Sequence, residues 1–495
     1  MVSSISTKTS SRIIWLTAFG ELALYLVLAA RGDLHTQMPV FFVLVAGLWG
    51  LYIFAAQKLF NGCATNALEA STPQIHQQAG AIIFFAVVFR AIMLPVTPWL
   101  SDDIYRYLWD GRVLMHGINP YQWTPNAPEL AHLRDAEIFP RVNHPEIGTI
   151  YPPLLQGVFA AGQLLGGKIL SLKILFTLID ILALILLSKV MRRSRIDQRQ
   201  VLLYAWNPLP IFEISGSGHA DGLVGLFFLL TVLQLGAERF RGAACFIGAG
   251  FLMKLTSALI LPFLWLRKHF REASIIFAVI IVVGYLPFVG AGAGLFSGLT
   301  TFSAKWRFND SIFSLIFWPI EKILPDSLVV ALMFEAGWEV SAKALLSRRI
   351  DLTLIITKTI VSCLFIGWMA WLARSFVKEK NSPETWGRLI ILLYGGMLLL
   401  APAFQPWYLL WILPLLALWP NRSLLMLSGT VFLSYWILQD YSATGVWQEN
   451  AWVKWLEFTP VGVMMLYDAY KQKRNALSDR HQTQNKNLKA FRTQK

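Results

Sequence analysis

Apolar segments of about 20 residues, separated by short polar segments, run along most of the chain. Three of them, at 13–30, about 38–57 and about 80–98, precede a longer polar region at 98–168. The apolar pattern then resumes and continues to about residue 468, with shorter, proline-interrupted pieces after residue 200. The pattern predicts an all-α polytopic membrane protein in which one transmembrane domain, residues 1–470, contains about 14 spans.

The composition supports this prediction. Of the 495 residues, 56% are hydrophobic and 15% are charged, whereas a soluble domain carries about 25% charged residues. The net charge of +14 does not indicate a nucleic-acid partner, because Lys and Arg cluster in short loops and in the tail. The cysteines Cys63, Cys245 and Cys363 lie too far apart to predict a disulfide framework or a metal site.

The distribution of Lys and Arg predicts the orientation in the membrane. Cytoplasmic loops are enriched in these residues, which occur before the first span, at 192–195, and throughout the tail at 471–495. We therefore expect the N-terminus, the 192–200 loop and this basic tail to be cytoplasmic, with the tail disordered. The 98–168 region then forms a long first extracytoplasmic loop, in which we expect juxtamembrane helices, one of them at 152–165.

This loop begins with two adjacent acids directly after an apolar segment. Ser101 is suited to cap a helix, and Asp102 and Asp103 then fall in its first turn, where the helix dipole favours negative charge. Arg106 lies one turn from both Asp102 and Asp110 and could bridge them. A structural interpretation is an interfacial helix with a charged solvent face, but two carboxylates at the mouth of a span also indicate a polar site.

The motif at 101–112, Ser-Asp-Asp-Ile-Tyr-Arg-Tyr-Leu-Trp-Asp-Gly-Arg, resembles the first-loop signature of the GT-C glycosyltransferases, as does His-Gly-Ile-Asn-Pro-Tyr after it. More narrowly, it is similar to bacterial mannosyltransferase-like membrane proteins related to the GPI-anchor mannosyltransferase. Further matching motifs are Tyr-Pro-Pro-Leu at 151–154, Trp-Asn-Pro-Leu at 206–209, Gly-His-Ala-Asp at 218–221, Met-Lys-Leu at 253–255 and Gln-Pro-Trp-Tyr at 405–408. The resemblance covers most of the chain between residues 80 and 420 and implies a GT-C-like fold.

The resemblance also implies a reaction. A hexose, with mannose expected, moves from a polyprenyl-phosphate sugar to a hydroxyl group of a glycan, lipid or protein acceptor, and membrane lipid is a further partner. The expected place is the extracytoplasmic face of a bacterial inner membrane. A single displacement at the anomeric carbon needs one general base, and a carboxylate is the usual one. The family's acidic motif often has a spacer between its acids; because Asp102 and Asp103 are adjacent here, either can be the base.

Several further residues are candidates for binding substrate. A phosphate leaving group requires positive charge nearby, and three cations on the expected side could supply it: Lys254, Lys305 and Arg307. Structural interpretations are snorkelling of Lys254 to the interface and a solvated loop around the other two. The candidates for contacting the sugars are Arg106, Asp110, Tyr151, His219, Asp221 and Gln405. Asp221 could instead cap a helix, and Tyr151 could simply belong to the core.

Two questions stay open from the sequence. The Asp102–Asp103 pair could hold Mg²⁺ or Mn²⁺ through few protein ligands, and no other cofactor is predicted. An alternative function is a transporter or flippase for a lipid-linked saccharide, because broken spans and intramembrane charges suit a transport path. An enzyme requires the Asp pair, His219 and Lys254 to converge on one cavity with the cations at 305–307, whereas a transporter requires a path through the membrane midplane.

Overall fold

The computed structural model describes residues 7–60, 72–268 and 270–493, with side chains for 9–60, 72–268, 271–471 and 473–474. This part of the chain is helical, and its one isolated bridge joins Phe308 and Ala403. The helices before residue 200 are α1 (Thr7–Arg31), α2 (Met38–Phe60), α3 (Pro73–Met93), α4 (Asp103–Met115), α5 (Pro153–Leu164) and α6 (Ile169–Arg193).

Shorter helices and single turns make up the middle of the chain. The α-helices there are α7 (Leu202–Ala205), α8 (Pro208–Pro210), α9 (Gly222–Gly236), α10 (Phe240–Phe251), α11 (Leu261–Leu266), α12 (Phe270–Tyr285) and α13 (Ser297–Lys305). A π-helical turn, Ile211–Gly216, follows α8 directly. The remaining helices are α14 (Ile312–Ile323), α15 (Asp326–Glu335), α16 (Ala342–Phe376), α17 (Pro383–Leu400), α18 (Leu413–Leu418), α19 (Arg422–Thr430), α20 (Trp436–Thr444) and α21 (Ala451–Thr493).

Six helices of the described chain are long and apolar enough to cross a membrane. They are Thr9–Arg31, Met38–Phe60, Pro73–Met93, Ile169–Arg193, Arg271–Lys305 and Ala342–Phe376. The prediction of an all-helical integral membrane protein is therefore confirmed. The apolar helices at Gly222–Gly236, Phe240–Phe251 and Leu255–Leu266 are shorter than a full span, so the count of about 14 spans stays a prediction.

A buried ion pair joins two of these spans. Arg90 of α3 donates from Nε to Oδ2 of Asp180 in α6 at 2.5 Å, and both side chains are fully buried. Arg90 also donates to the carbonyl oxygen of Ala205, and Tyr204 donates to the second oxygen of Asp180. A buried charge is stable only when it is paired and hydrogen-bonded, so this network fixes α3 and α6 side by side.

The polar region at 94–168 connects these two spans, and its ends lie close together where α3 ends and α6 begins. Lys173, near the start of α6, donates to the carbonyl oxygens of Met93 and Val96 at the end of α3. Within this region α4 packs directly on α5. These are the two helices that the sequence predicts as juxtamembrane helices. A Cβ atom at Gly111 would lie 2.5 Å from the carbonyl oxygen of Phe159, so only glycine allows this close approach.

Two local predictions are wrong. Helix α4 begins at Asp103 rather than Asp102; Ser101 is not its N-cap residue, although its Oγ accepts from the Asp103 amide at 3.3 Å. The adjacent acids therefore do not both lie in the first turn. The tail expected to be disordered from Lys471 instead continues α21 to Thr493. Residues 471–493 contain neither glycine nor proline and are rich in helix-forming Lys, Gln, Arg and Ala, so nothing in the sequence ends the helix.

Candidate active site

The two adjacent acids lie in different environments at the start of α4. Asp102 is exposed, whereas the side chain of Asp103 is 22% exposed and accepts a hydrogen bond from Nδ2 of Asn143 at 2.8 Å. Burial raises the pKa of Asp103 to about 6, although Asn143 and the charge of Lys254 act in the opposite direction. Burial raises the pKa of Asp102 as well, so the fold increases the proton affinity of both acids, and Asp103 is the more buried of the two.

The turn after the π-helical segment brings a second group of residues to Asp103. Asn207 caps the start of α8 by accepting from the Leu209 amide at 3.0 Å, and the chain then widens into the π-helical turn. Gly218 follows with a φ of +79°. A Cβ atom there would lie 2.4 Å from Cδ1 of Ile104 in α4, so this glycine permits both the turn and its contact with α4.

His219 is consequently buried between two carboxyl groups. Its Nδ1 lies 3.8 Å from Oδ2 of Asp103, and its Nε2 lies 3.5 Å from Oε2 of Glu213. The imidazole stacks on the ring of Trp407, with centroids 3.7 Å apart. Glu213 was missed from the sequence, although a single acid within the apolar run Pro-Ile-Phe-Glu-Ile is a signal that could have found it.

Asp221 and Lys254 form an ion pair beside this group. Lys254 Nζ lies 3.0 Å from Oδ1 of Asp221, the same oxygen that accepts from Nε1 of Trp411 at 2.7 Å. Lys254 also lies over the ring of Tyr408, and its side chain stays 25% exposed. Asp221 makes no side-chain cap to α9, so the interpretation as a helix cap is wrong.

The charge of Lys254 is secured by these neighbours. Burial alone would lower the pKa of Lys254, but Asp221, Tyr408 and Asp103 together raise it above its ordinary value. A permanent positive charge thus lies close to the carboxylate of Asp103 in a partly desolvated setting, where charge interactions are stronger than in water.

Arg106 and Asp110, further along α4 than Asp103, form a separate buried network. Arg106 Nε donates to Oδ1 of Asp110 at 2.9 Å, while its terminal nitrogens donate to the backbone oxygens of His144 and Ile147. Arg106 therefore does not bridge Asp102 and Asp110 as expected. Asp110 also accepts from Thr149 at 2.5 Å, so the network fixes the 144–149 loop against α4.

Tyr151 lies in the aromatic packing below this network. Its ring meets Tyr107 edge-on at 5.0 Å and Phe159 at 5.4 Å, and its backbone oxygen accepts from the hydroxyl of Tyr121. The side chain is 9% exposed. These contacts describe a core position.

Three other predicted residues lie on neighbouring segments. Lys305 is exposed at the end of α13, and Gln405 is half-buried where the Pro406–Trp411 turn begins. Arg307 Nε lies 2.5 Å from Oδ2 of Asp310, and its guanidinium covers the ring of Phe317. The structure thus brings Asp103, His219, Asp221 and Lys254 together, and no described contact joins the 305–307 cations to them.

The 305–310 segment nevertheless packs close to the site. Trp306 contacts the ring of His144, the residue after Asn143, with centroids 4.6 Å apart. Asp310 pairs with Lys454 as well as with Arg307, and Asn309 donates to Glu457 of α21 at 2.8 Å. Sequence reasoning missed this buried polar cluster, because its two halves, at 307–310 and 454–457, lie more than 140 residues apart.

The donor set around Asp103 does not fit a metal ion. Among the residues that the structure describes, no group of three or more His, Cys, Asp or Glu side chains could hold one. Asn143 donates an N–H to the Asp103 carboxyl group, and the positive charge of Lys254 acts on the same group. Both stabilise a carboxylate and would repel a cation, so no step below uses a metal.

A groove of about 650 Å³ lies elsewhere in the molecule. It is lined by Ile196, Gln200, Glu384, Arg388, Ile391, Leu392, Leu418, Trp419, Pro420 and Asn421. None of the predicted site residues contributes to it. The groove therefore supplies no transport path past Asp103 or Lys254.

Two family models match the chain, each over just more than half of its length. Residues 15–268 match the model described as alpha-(1->6)-mannopyranosyltransferase, N-terminal domain, and residues 149–402 match glycosyltransferase family 87. The Asp pair lies in the first match, and the second includes the 305–307 cations; both contain His219 and Lys254. No curated protein and no solved structure gives a match. The chain belongs to both families, whose matched ranges overlap, and it is a membrane glycosyltransferase.

Proposed function

We propose that this protein transfers mannose from a polyprenyl-phosphate mannose to a hydroxyl group of its acceptor, with Asp103 as the general base. The carrying observation is the pair of partly exposed opposite charges, Asp103 and Lys254, within an otherwise buried polar cluster. A carboxylate that can accept a proton and a cation that can face a phosphate are the two groups that this reaction needs. The family name alpha-(1->6)-mannopyranosyltransferase supports mannose as the sugar.

The chemistry follows a single displacement. The acceptor oxygen forms a bond to the anomeric carbon as the bond from that carbon to the phosphate oxygen breaks, and the hydroxyl proton moves to the Asp103 carboxylate. The leaving polyprenyl phosphate gains negative charge, which Lys254 stabilises. Because a single displacement inverts the anomeric carbon, an alpha product requires a beta-linked donor, and the same family name supports a mannose 6-hydroxyl as acceptor.

The proposed place of reaction is the extracytoplasmic face of a bacterial inner membrane, within the expected fold of about 14 spans. A lipid-linked donor suits a site at the mouth of α3, where its prenyl chain can stay in the bilayer. Lys305 is a further candidate for the donor phosphate, because it is exposed at the end of α13. Arg307 would have to leave Asp310 to bind the donor.

The direct test uses purified protein in detergent with a panel of beta-linked polyprenyl-phosphate hexoses and a mannoside acceptor. Mass spectrometry should detect an acceptor one hexose heavier, with the mannose donor preferred. Equal use of a soluble nucleotide sugar would contradict the lipid-linked donor. Movement of intact donor across liposomes, with no sugar released, would favour the flippase function instead.

The orientation can be tested by cysteine labelling in intact cells. In a variant without native cysteines, a membrane-impermeant maleimide should label Glu129→Cys in the first loop and spare Ser194→Cys after α6. Both positions are exposed, and the Lys and Arg distribution predicts opposite sides for them. The reverse labelling pattern would place the site on the cytoplasmic side.

The pH dependence of transfer should report the base. Asp103 acts only as a carboxylate, and its pKa is raised to about 6. We expect kcat/KM for the acceptor to be constant above this pH and to fall about tenfold for each pH unit below it. A rate that stays level down to about pH 4, the ordinary range of an aspartic acid, would exclude Asp103 as the titrating group.

A further inference from the structure

Three buried polar atoms next to the site face one another without other partners. Within the described chain, Nδ1 and Nε2 of His219 and Oε2 of Glu213 form no hydrogen bond, although both side chains are at most 1% exposed. Leaving buried polar atoms unpaired is costly, and native proteins rarely do so. Nε2 of His219 lies 3.5 Å from Oε2 of Glu213, and Nδ1 of His219 lies 3.8 Å from Oδ2 of Asp103.

We propose that Glu213 and His219 form a hydrogen-bonded chain that holds the Asp103 carboxylate in position. Glu213 donates to Nε2 of His219, and His219 donates from Nδ1 to Oδ2 of Asp103. This inference rests on the proposed role of Asp103 as the base, and it makes Glu213 and His219 positioning residues. Hydrogen bonds at such sites are commonly long without substrate and shorten when it binds.

The protonation state of Glu213 follows from its surroundings. It is fully buried, and its bonded neighbour is the hydroxyl of Tyr435, which donates to Oε1 at 2.7 Å. The groups that face it are Tyr435, His219, Ser217, Asp103 and Asp221. A second buried carboxylate close to two others is costly, so Glu213 is a neutral acid. Its proton then lies on the oxygen that faces the imidazole.

The imidazole is neutral as well. Burial, together with the charge of Lys254, lowers the pKa of His219 well below its ordinary value. A neutral ring has one N–H donor and one acceptor nitrogen, and a proton donated by Glu213 makes Nε2 the acceptor. Nδ1 must therefore carry the hydrogen, which points to Asp103. Stacking on Trp407 holds the ring plane for this bond.

In the hydrogen-bonded chain, each oxygen of the Asp103 carboxylate has a different donor. Asn143 donates to Oδ1, and His219 approaches Oδ2. Both donors stabilise the ionised carboxylate, as does Lys254, while Asp102 and Asp221 oppose it. The hydrogen-bonded chain therefore keeps the partly buried carboxyl group of Asp103 ionised near neutral pH and directs its remaining lone pairs to the acceptor.

The tautomer of His219 is the direct test, and it does not depend on activity. Nitrogen-15 NMR of histidine-labelled protein distinguishes the two tautomers, and His219→Asn assigns the signal among the eight histidines. We expect the Nδ1–H form in wild type and in Glu213→Gln, which keeps a donor, and its loss in Glu213→Leu. Tyr435→Phe is the matched control, since it removes a bond to Glu213 on the other side and should keep the Nδ1–H form.

Activity gives a second readout. In His219→Phe the ring can still stack on Trp407 but donates nothing to Asp103, so the acid limb of the pH–rate profile should move up by about one pH unit. An Nε2–H tautomer in wild type, or an acid limb of the pH–rate profile that does not move in His219→Phe, would contradict the proposed hydrogen-bonded chain. If Asp103→Asn keeps full transfer while the wild type shows the Nδ1–H form, the assignment of Asp103 as the base is wrong, whereas the hydrogen-bonded chain is supported.

Discussion

Asp103→Asn should lose nearly all glycosyl transfer, by about a hundredfold to ten-thousandfold in kcat, whereas Asp102→Asn should lose far less. The substitution is nearly isosteric, and the new side chain can still accept from Asn143. It cannot take up a proton at neutral pH, so only the base function is removed. Asp102 is the matched control, because it precedes Asp103 directly but is exposed.

The stability of the two variants separates chemistry from folding. Because the folded pKa of Asp103 is about 6 and the ordinary value is 3.8, the ionised carboxylate destabilises the folded protein by about 3 kcal/mol at pH 7. This penalty appears as the pH rises from about 4 to 6 and is constant above. Asp103→Asn should therefore melt no lower than wild type in detergent. Full transfer by a well-folded Asp103→Asn, or an equal loss in Asp102→Asn, would contradict the assignment of the base.

Lys254→Gln should lower kcat/KM for the lipid donor by about a hundredfold, with a smaller effect on acceptor KM. The negative charge on the phosphate grows as the bond to the sugar breaks, and losing one such contact costs about 3 kcal/mol in the transition state. Steady-state kinetics with a fixed acceptor and varied polyprenyl-phosphate mannose measures the effect.

The partner of Lys254 supplies the control for this variant. Removing the lysine leaves the buried Asp221 with Trp411 as its one side-chain donor among the residues that the structure describes, and an unpaired buried charge can itself impair folding. The double variant Asp221→Asn/Lys254→Gln removes both charges. If the phosphate role is correct, its transfer stays low; recovery to near the wild-type rate would show that Lys254 serves only to neutralise Asp221.

The residues of the site were predictable to the extent that each carries its own signal in the sequence. Asp103, His219, Asp221 and Lys254 are polar residues at the ends of apolar segments, where the loss of solvation makes them costly unless they serve a site. The same reasoning could not choose between Asp102 and Asp103, since adjacent residues share every sequence feature. Their difference arises from Asn143, a contact across 40 residues.

Lys305 and Arg307 show the limit of arguments from membrane side alone. Every cation in an extracytoplasmic loop is equally a candidate for a phosphate, and sequence does not reveal that Asp310 and Phe317 already engage Arg307. Similarly, the sequence did not predict the start of α4 to the residue, since its N-cap residue is Asp102 rather than Ser101. The helical pattern itself was well predicted, since long apolar runs determine helices in a membrane.

The Arg90–Asp180 pair sets the order in which the protein can be assembled. Asp180 lies near the middle of α6, where a lone charge costs about 2.5 to 3.5 kcal/mol on insertion, so pairing with Arg90 of α3 lowers the cost of placing α6 in lipid. The two residues are 90 positions apart, so the pair can form only after α6 has been synthesised. The segment between α3 and α6 carries Asp103, so the two spans that hold the ends of this segment can pair only after the segment itself has been made.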